Sequence, residues 1–178
     1  TEANFNNEIG VPKTLLNLNP DHAFAVIEMG MRGPGEIATL TQIARPDIAI
    51  ITNVGTAHIG RLGSREAIAQ AKCELLAEMP TSSIAILNAE TPLLLETAHT
   101  VWDGQTITYG LFTGSLRGTL RDDGSLEVEG VRYPLPLPGD HNALNFLAAI
   151  AVMRILKLDE TPLPKGITVN LPSGRAQQ

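Results

Sequence analysis

The sequence has one cysteine, few basic residues and no long apolar run, and each of these shortages narrows the class of protein. A single cysteine, Cys73, excludes an intramolecular disulfide framework and is typical of a reducing compartment. The 13 Lys and Arg against 19 Asp and Glu leave no basic stripe for nucleic-acid phosphates or anionic lipid. No apolar run approaches the roughly 20 residues that span a bilayer, and no basic-then-apolar leader opens the chain. We therefore predict a soluble, cytoplasmic protein that neither binds nucleic acid nor inserts into a membrane.

The phosphate-binding motif Gly-x-x-x-x-Gly-Lys-Ser/Thr is absent as well. A nucleotide site in this chain would therefore lack the loop that usually cradles the phosphates. The chain starts at Thr1 without a methionine and stops just after the loop-like residues 172–174. We expect it to be part of a longer protein whose function depends on the missing segments.

The 178 residues, 43% of them hydrophobic, suit a compact domain. Short apolar runs bounded by polar residues predict strands that are covered on both faces, at residues 23–28, 47–53, 83–88 and 106–109. Helical patterns fall at residues 35–44, 64–79, 92–100 and 140–156, the second opened by Ser64 as an N-cap and the last by Asp140.

Strands that alternate with helices predict an α/β fold with a mostly parallel sheet flanked by helices. Period-2 alternation over residues 116–135, around Asp122-Asp123-Gly124, predicts a small antiparallel β excursion near residues 114–135. We predict one domain over residues 1–172, with residues 173–178 beginning a linker. The Asn-rich opening, residues 1–18, is interpreted as a functional loop leading into a short helix.

Polar residues end three of the predicted strands, where ligands gather in open α/β sheets. Glu28, Asn53 and Asn88 occupy these positions. A carboxylate at the end of an apolar strand is the arrangement that holds Mg²⁺ beside phosphates in nucleotidases. Glu28 could equally be a solvated acid, and Asn88 could simply cap the turn after its strand.

Two further candidates follow the second strand. His58 lies in a glycine-bearing loop at the same predicted sheet edge as Glu28, although a lone loop histidine is usually a surface residue. Lys72 has only apolar neighbours at three and four residues along its helix, so its amine is either partly desolvated or extends into water. A desolvated lysine has a lowered pKa, and a neutral amine can react with carbon dioxide to form a carbamate, which would bind a metal ion.

The last helix begins with a pair of carboxamides. Asn142 and Asn145 lie three residues apart and face the same way. A carboxamide can donate to and accept from the edge of adenine. Capping of the helix start is the alternative explanation.

These segments, in this order, resemble the Mur ligase family of ATP-dependent amide-forming enzymes. The segments that carry the resemblance are residues 6–12 (Asn-Asn-Glu-Ile-Gly-Val-Pro), 28–30, 53–58, 71–74, 87–90 and 139–145. Residues 6–12 with 14–16, and residues 28–30 with 35–37, are most similar to the branch that adds D-alanyl-D-alanine.

The resemblance implies the central, P-loop-like ATPase domain of a ligase in peptidoglycan precursor synthesis, with ATP and Mg²⁺ as cofactors. The substrates would be UDP-MurNAc-tripeptide, activated as an acyl phosphate, and D-alanyl-D-alanine; the isolated chain would be inactive. By this resemblance Glu28 would bind one Mg²⁺, and His58 and a carbamylated Lys72 would bind a second. Asn142 and Asn145 would recognise adenine, with His141 beside them, and Asn88 and Arg175 would lie at the nucleotide. Asn6 and Asn7 would border the sugar-peptide.

The chain departs from the family pattern at two positions. Glu90 stands where the family often has Asp, and Ser173 replaces the proline before Gly174-Arg175. Two alternatives remain open from the sequence. One is another ligase of the superfamily, such as a different Mur enzyme or a folylpolyglutamate synthase, which would lack the signature at residues 6–12. The other is a non-catalytic nucleotide-binding module, consistent with the missing phosphate loop.

Overall fold

The computed structural model describes residues 1, 4–57 and 59–169. The helices are α1 (Gly10–Leu16), α2 (Glu36–Ala44), α3 (Ile59–Leu62), α4 (Arg65–Ala77), α5 (Pro92–His99), α6 (Asp140–Ile155) and a 3₁₀ turn, η1 (Leu163–Lys165). The strands are β1 (Ile48–Ile51), β2 (Ile84–Asn88), β3 (Gln105–Gly110), β4 (Leu116–Arg117), β5 (Thr119–Leu120), β6 (Leu126–Val128) and β7 (Val131–Tyr133).

The strands form two sheets. The larger has the order β1-β2-β3-β4, with helices connecting its first three strands, and β4 pairs parallel to β3 with Tyr109 opposite Leu116. The smaller sheet, β5-β6-β7, is antiparallel, with Thr119 opposite Glu127 and Val128 opposite Val131. The predicted α/β class, with a flanked parallel sheet and an antiparallel excursion, is confirmed.

The chain divides into two compact units. The first comprises residues 1–49, 53–85 and 93–105 and contains helices α1 to α5. Helices α2 and α4 pack together in it, and its buried core includes Val11, Leu40, Ile68, Leu76 and Leu94. In the described part of the chain no helix is long and apolar enough to cross a bilayer.

The second unit comprises residues 50–52, 86–92 and, in the described part of the chain, 106–169. Its core includes Ile86, Tyr109, Leu126, Leu147 and Ile150. Helix α6 contacts β4 within this unit, and β7 contacts η1. The single domain over residues 1–172 and the linker at 173–178 stay predictions, since residues 170–178 lie outside the described part.

Helix α4 begins as its sequence predicts. The Ser64 hydroxyl accepts a hydrogen bond from the Ala67 amide at 3.1 Å, which satisfies one of the amides that the first turn of a helix leaves unpaired. Residues 47–53 and 83–88 contain β1 and β2, residues 106–109 lie within β3, and residues 35–44, 92–100 and 140–156 contain α2, α5 and α6. These predictions are confirmed to within two residues at each end.

The strand predicted at residues 23–28 is wrong. None of these residues joins a sheet, and Phe24 and Val26 are 54% and 81% exposed. An apolar run becomes a strand only when another strand takes up its backbone hydrogen bonds, and no described segment pairs with it in that way.

Two smaller predictions also fail. Asp140 is not the N-cap of α6 but its first residue; Gly139, with φ of 102°, holds the cap position and no side chain caps the helix. A backbone with φ in this range favours glycine over an N-cap with a side chain. Residues 116 and 117 join the larger sheet as β4 instead of the antiparallel excursion, because β3 offers a free edge beside them.

Candidate functional site

Asn6 and Glu28, which come from two separate sequence motifs, meet in the first unit. The Asn6 amide Nδ2 donates to Glu28 Oε1 at 2.9 Å, and the Gly30 amide donates to the Asn6 carbonyl at 2.7 Å. A Cβ on Gly30 would lie 2.9 Å from the Asn6 carboxamide carbon, so a side chain there would push the carboxamide out of this position. Glu28 is exposed, and its Oε2 accepts no hydrogen bond from the described residues. One oxygen is therefore oriented by Asn6 while the other is available to a cation.

Asn7 has a local structural role. Its Oδ1 accepts from the Ile9 and Gly10 amides at 3.2 and 2.9 Å, closing the turn that leads into α1. A Cβ on Gly10 would lie 2.4 Å from the Phe5 Cα, so the motif also needs its glycine for close packing. Only the amide nitrogen of Asn7 is left for a ligand.

Lys72 is half-buried on α4, and burial lowers the pKa of its amine. No carboxylate among the described residues pairs with it. Of the two alternatives that the sequence left open, this half-buried position favours partial desolvation over extension into water. Burial raises the pKa of the adjacent Cys73 thiol to about 11, so this cysteine is unreactive at neutral pH. An unpaired, partly buried ammonium costs stability, which makes Lys72 a functional candidate.

His58 and Arg175 lie outside the described residues. Within residues 1, 4–57 and 59–169, no cluster of three or more His, Cys, Asp or Glu side chains could hold a metal ion. A metal ion at Glu28 would therefore need further ligands of another kind, for example phosphate oxygens or a carbamate.

The carboxamide pair lies in the second unit, at the start of α6. Asn142 Nδ2 donates to the Pro138 carbonyl at 2.7 Å, which closes the turn at Gly139. Asn145 and His141 are exposed. The remaining oxygen of Asn142 and the whole carboxamide of Asn145 can still meet a ligand on that helix face.

Asn88, at the end of β2, is buried and 5% exposed. Its Nδ2 donates to the Thr52 carbonyl at 2.8 Å and its Oδ1 accepts from the Glu90 amide at 2.9 Å. The side chain thus joins the end of β1 to the turn after β2, as the turn-cap interpretation predicts.

Sequence reasoning missed what Glu90 does. Its Oε1 accepts from the backbone amides of Leu111 and Phe112, the second at 2.8 Å. The carboxylate therefore fastens the loop after β3 to the turn after β2. The only signal in the sequence was the departure from Asp to Glu at this position.

A second glutamate was missed in the first unit. Glu74, two residues after Lys72, accepts from the backbone amides of Gly35 and Ala38 at 2.7 and 3.1 Å. These contacts lie 39 and 36 residues apart along the chain, which is why no local pattern reveals them.

Comparison with known proteins adds a family. The family model of the Mur ligase middle domain matches residues 1–153. The UDP-N-acetylmuramoyl-tripeptide--D-alanyl-D-alanine ligase of Synechocystis is 61% identical over all 178 residues, which cover 39% of that enzyme. The chain thus spans well under half the length of the curated relatives it matches.

Solved structures agree. MurF from Acinetobacter baumannii superimposes with a TM-score of 0.82 at 31% identity, over 100% of this chain and 42% of that one. MurF ligase from Thermotoga maritima, determined in complex with ADP, gives 0.78 at 30% identity over 95% of this chain and 42% of that one. The resemblance drawn from the sequence motifs is confirmed, and the chain belongs to the Mur ligase middle-domain family.

Proposed function

We propose that this chain is the central ATP-binding part of a ligase that joins D-alanyl-D-alanine to UDP-MurNAc-tripeptide in peptidoglycan precursor synthesis, in the cytoplasm. The observation that carries this proposal is the hydrogen bond from Asn6 to Glu28. It joins the segment with the signature of the D-alanyl-D-alanine branch to the carboxylate proposed to bind metal. Similarity to a MurF crystallised with ADP supports the nucleotide.

In the reaction proposed for the intact enzyme, the terminal carboxylate of the tripeptide attacks the γ-phosphorus of ATP. ADP leaves, and the amine of D-alanyl-D-alanine displaces phosphate from the acyl phosphate to form the amide. Asn6 and Asn7 would border the sugar-peptide. Phosphoryl transfer of this kind depends mainly on positioning and on charge neutralisation at the phosphate oxygens.

The residues present fit a magnesium ion. Mg²⁺ prefers carboxylate oxygens and usually keeps several waters or phosphate oxygens as ligands, and Glu28 offers one exposed carboxylate oxygen whose partner is held by Asn6. The ion, when bound, would neutralise charge on the phosphates. Asn6 limits the rotation of the carboxylate, so Glu28 would meet the ion in one orientation.

Lys72 is proposed to act as a carbamate, with His58, at a second magnesium ion. Burial lowers the pKa of its amine, which raises the fraction of the neutral form that reacts with carbon dioxide. The ammonium first loses a proton; the neutral nitrogen then bonds to the carbon of carbon dioxide and releases a second proton to solvent. An anionic oxygen donor thus replaces the unpaired cation at a half-buried position.

The second unit supplies the adenine-binding side chains in this proposal. Asn142 and Asn145 would hydrogen-bond the edge of the base, with His141 beside them and Asn88 holding the strand end near the nucleotide. Arg175 would approach the nucleotide as well.

Calorimetry of ADP binding, with and without Mg²⁺, tests the proposal in this chain. Glu28→Gln should weaken binding only when Mg²⁺ is present, whereas Asn145→Ala should weaken it under both conditions. Glu8→Gln, which changes an exposed acid of the opening segment, is the matched control for Glu28→Gln and should alter binding under neither condition. Equal affinities of all four proteins for MgADP would contradict the site assignments.

Product analysis of the full-length gene product tests the reaction itself. With ATP, Mg²⁺, UDP-MurNAc-tripeptide and D-alanyl-D-alanine, we expect the amide product and ADP in equal amounts. The chain of 178 residues alone should give none. Activity on a folate with glutamate instead would favour the folylpolyglutamate alternative, and nucleotide binding without any amide product would favour a binding module.

A further inference from the structure

Helix α2 begins without a cap of its own. The first amides of a helix have no partners within it, and Ser, Thr, Asp or Asn usually accepts from them at the N-cap. Here the N-cap is Gly35, with φ of 82°, and it has no side chain to do so. The segment that links Glu28 to α2 therefore ends at a helix start that needs an acceptor from elsewhere.

Glu74 supplies that acceptor from α4. Its Oε1 accepts from the Gly35 amide at 2.7 Å and its Oε2 from the Ala38 amide at 3.1 Å. Both carboxylate oxygens are thus used, by two amides at the positive end of α2, where a negative charge is favourable. The half-buried position of Glu74 strengthens these charge-assisted bonds relative to a fully solvated pair.

Through this cap, Glu74 connects the segment that carries Glu28 with the helix that carries Lys72. It lies two residues after Lys72 on the same helix, and the amides it binds lie seven and ten residues after Glu28. Between Glu28 and Gly35 the segment is fixed at three further points: the Gly30 amide donates to the Asn6 carbonyl, Met31 is buried at 7% exposure, and the Arg32 amide donates to Glu36 at 2.7 Å. Glu74 attaches the end of this segment to the helix of Lys72.

We propose that Glu74 is a positioning residue that sets the spacing between Glu28 and Lys72, and so between the two candidate metal sites. Glu74 touches neither metal nor substrate in this role. It acts by docking the Glu28 segment onto α4 through two backbone amides. The effect on the two metal sites rests on the proposed function, whereas the docking itself can be measured without any metal or nucleotide.

Glu78 offers a matched control. It lies four residues after Glu74, at the C-cap of α4, and its Oε2 accepts from the Gln42 side chain of α2 at 2.8 Å. Glu78→Ala therefore removes a glutamate that also connects α4 with α2, but at a side chain far from the helix start. A general loosening of the two helices would appear in both variants, whereas a positioning role would appear only at Glu74.

Amide hydrogen exchange tests the docking in the metal-free chain. In Glu74→Ala we expect the Gly35 and Ala38 amides to exchange at least about ten-fold faster, the loss of a hydrogen bond to a charged acceptor. Glu74→Gln, which keeps one acceptor oxygen, should lose protection mainly at one of the two amides. Glu78→Ala should leave both unchanged. Unaltered exchange in a folded Glu74→Ala variant would overturn the proposal.

Titration with Mn²⁺ in the presence of ADP, followed by paramagnetic broadening of amide signals, tests the consequence, because the phosphate oxygens supply the ligands that Glu28 alone lacks. In the unsubstituted chain the amides beside Glu28 should broaden first. Glu74→Ala should weaken this binding about ten-fold, the lower end of the range for loss of a residue that orients a metal ligand, while Glu78→Ala retains it and Glu74→Gln lies between. Equal Mn²⁺ affinity in Glu74→Ala and the unsubstituted chain would overturn the positioning role. An unsubstituted chain that shows no broadening near Glu28 would instead contradict the proposed metal site, a result distinct from the exchange data.

Discussion

Replacement of Asn88 separates its structural role from its predicted role at the nucleotide. The side chain is 5% exposed and makes two hydrogen bonds to backbone, donating to Thr52 O at 2.8 Å and accepting from Glu90 N at 2.9 Å. Each such bond contributes about 1 kcal/mol to the free energy of unfolding, and more when its partner stays buried and unpaired. Thr52 is exposed, so water can replace the lost donor at its carbonyl. Asn88→Ala should therefore lower the free energy of unfolding by about 2–3 kcal/mol.

Asn88→Asp adds a signature in pH. The introduced carboxyl has nearly the same shape and still accepts from Glu90, but once ionised it faces the Thr52 carbonyl oxygen in a buried position. Burial and this oxygen should raise its folded pKa above the ordinary value of about 3.9. Below about pH 4 the carboxyl is protonated in both states and its O–H can donate to Thr52. Above its folded pKa the ionised form is penalised in the folded state alone, so the variant loses stability as pH rises.

Urea unfolding at pH 4 and pH 7, compared with the unsubstituted chain at each pH, measures both effects. We expect the deficit of Asn88→Asp to be about 1–3 kcal/mol larger at pH 7 than at pH 4. The same deficit at both pH values, or a loss below about 0.5 kcal/mol in Asn88→Ala, would refute the hydrogen-bonding scheme. A folded Asn88→Ala variant with unchanged affinity for ADP would limit Asn88 to this structural role.

Three further substitutions follow from single side chains. Lys72→Met removes a half-buried ammonium whose pKa burial lowers. The cost of this ammonium is fully present below the folded pKa and vanishes above the unfolded value, so the variant should melt higher at pH 7, by a margin that shrinks towards pH 10.5. A margin that stays the same over this pH range would argue against an ammonium penalised by burial. Tyr109 is fully buried, and its hydroxyl has no hydrogen-bond partner among the described residues. Tyr109→Phe should therefore raise the free energy of unfolding by about 0.5–1.5 kcal/mol in urea. A lower free energy of unfolding would show that the hydroxyl is hydrogen-bonded. Ser64→Ala removes the cap of α4 and should cost about 1 kcal/mol in the same assay; a Ser64→Asp variant should recover most of it, and failure to do so would argue against the cap.

Much of the fold could be predicted from the sequence because most of its helices and strands follow from local residue patterns. The apolar runs that became β1, β2 and β3, and the cap at Ser64, depend on residues within a few positions of one another. Residues 23–28 have the same apolar character, yet they lie in no sheet of the described chain. Strand formation is decided by a neighbour elsewhere, so composition alone could not distinguish this run from the others.

The candidate site could be predicted only in part, because its contacts also depend on partners elsewhere in the sequence. Side-chain types in ordered motifs pointed to Glu28, Lys72 and the Asn142 pair. The apolar neighbours of Lys72 along α4 left open whether its amine is desolvated or extends into water, and burial in the folded chain lowers its pKa. The contacts that orient these groups join residues far apart in the sequence: Asn6 and Glu28 are separated by 22 positions, and Gly35 and Glu74 by 39. Chain folding, not spacing, brings such partners together.

The sequence by itself determined the α/β class, the family and the chemical types available for a metal and a base. Those properties follow from periodicity and from residue identity, which are local. Only the tertiary structure decided that Asn88 and Glu90 are engaged with backbone, that Asn6 orients Glu28, and that Glu74 caps a helix whose own cap is a glycine. A carboxylate or carboxamide can serve a ligand or its own chain equally well, and which of these it does depends on the donors that folding places beside it.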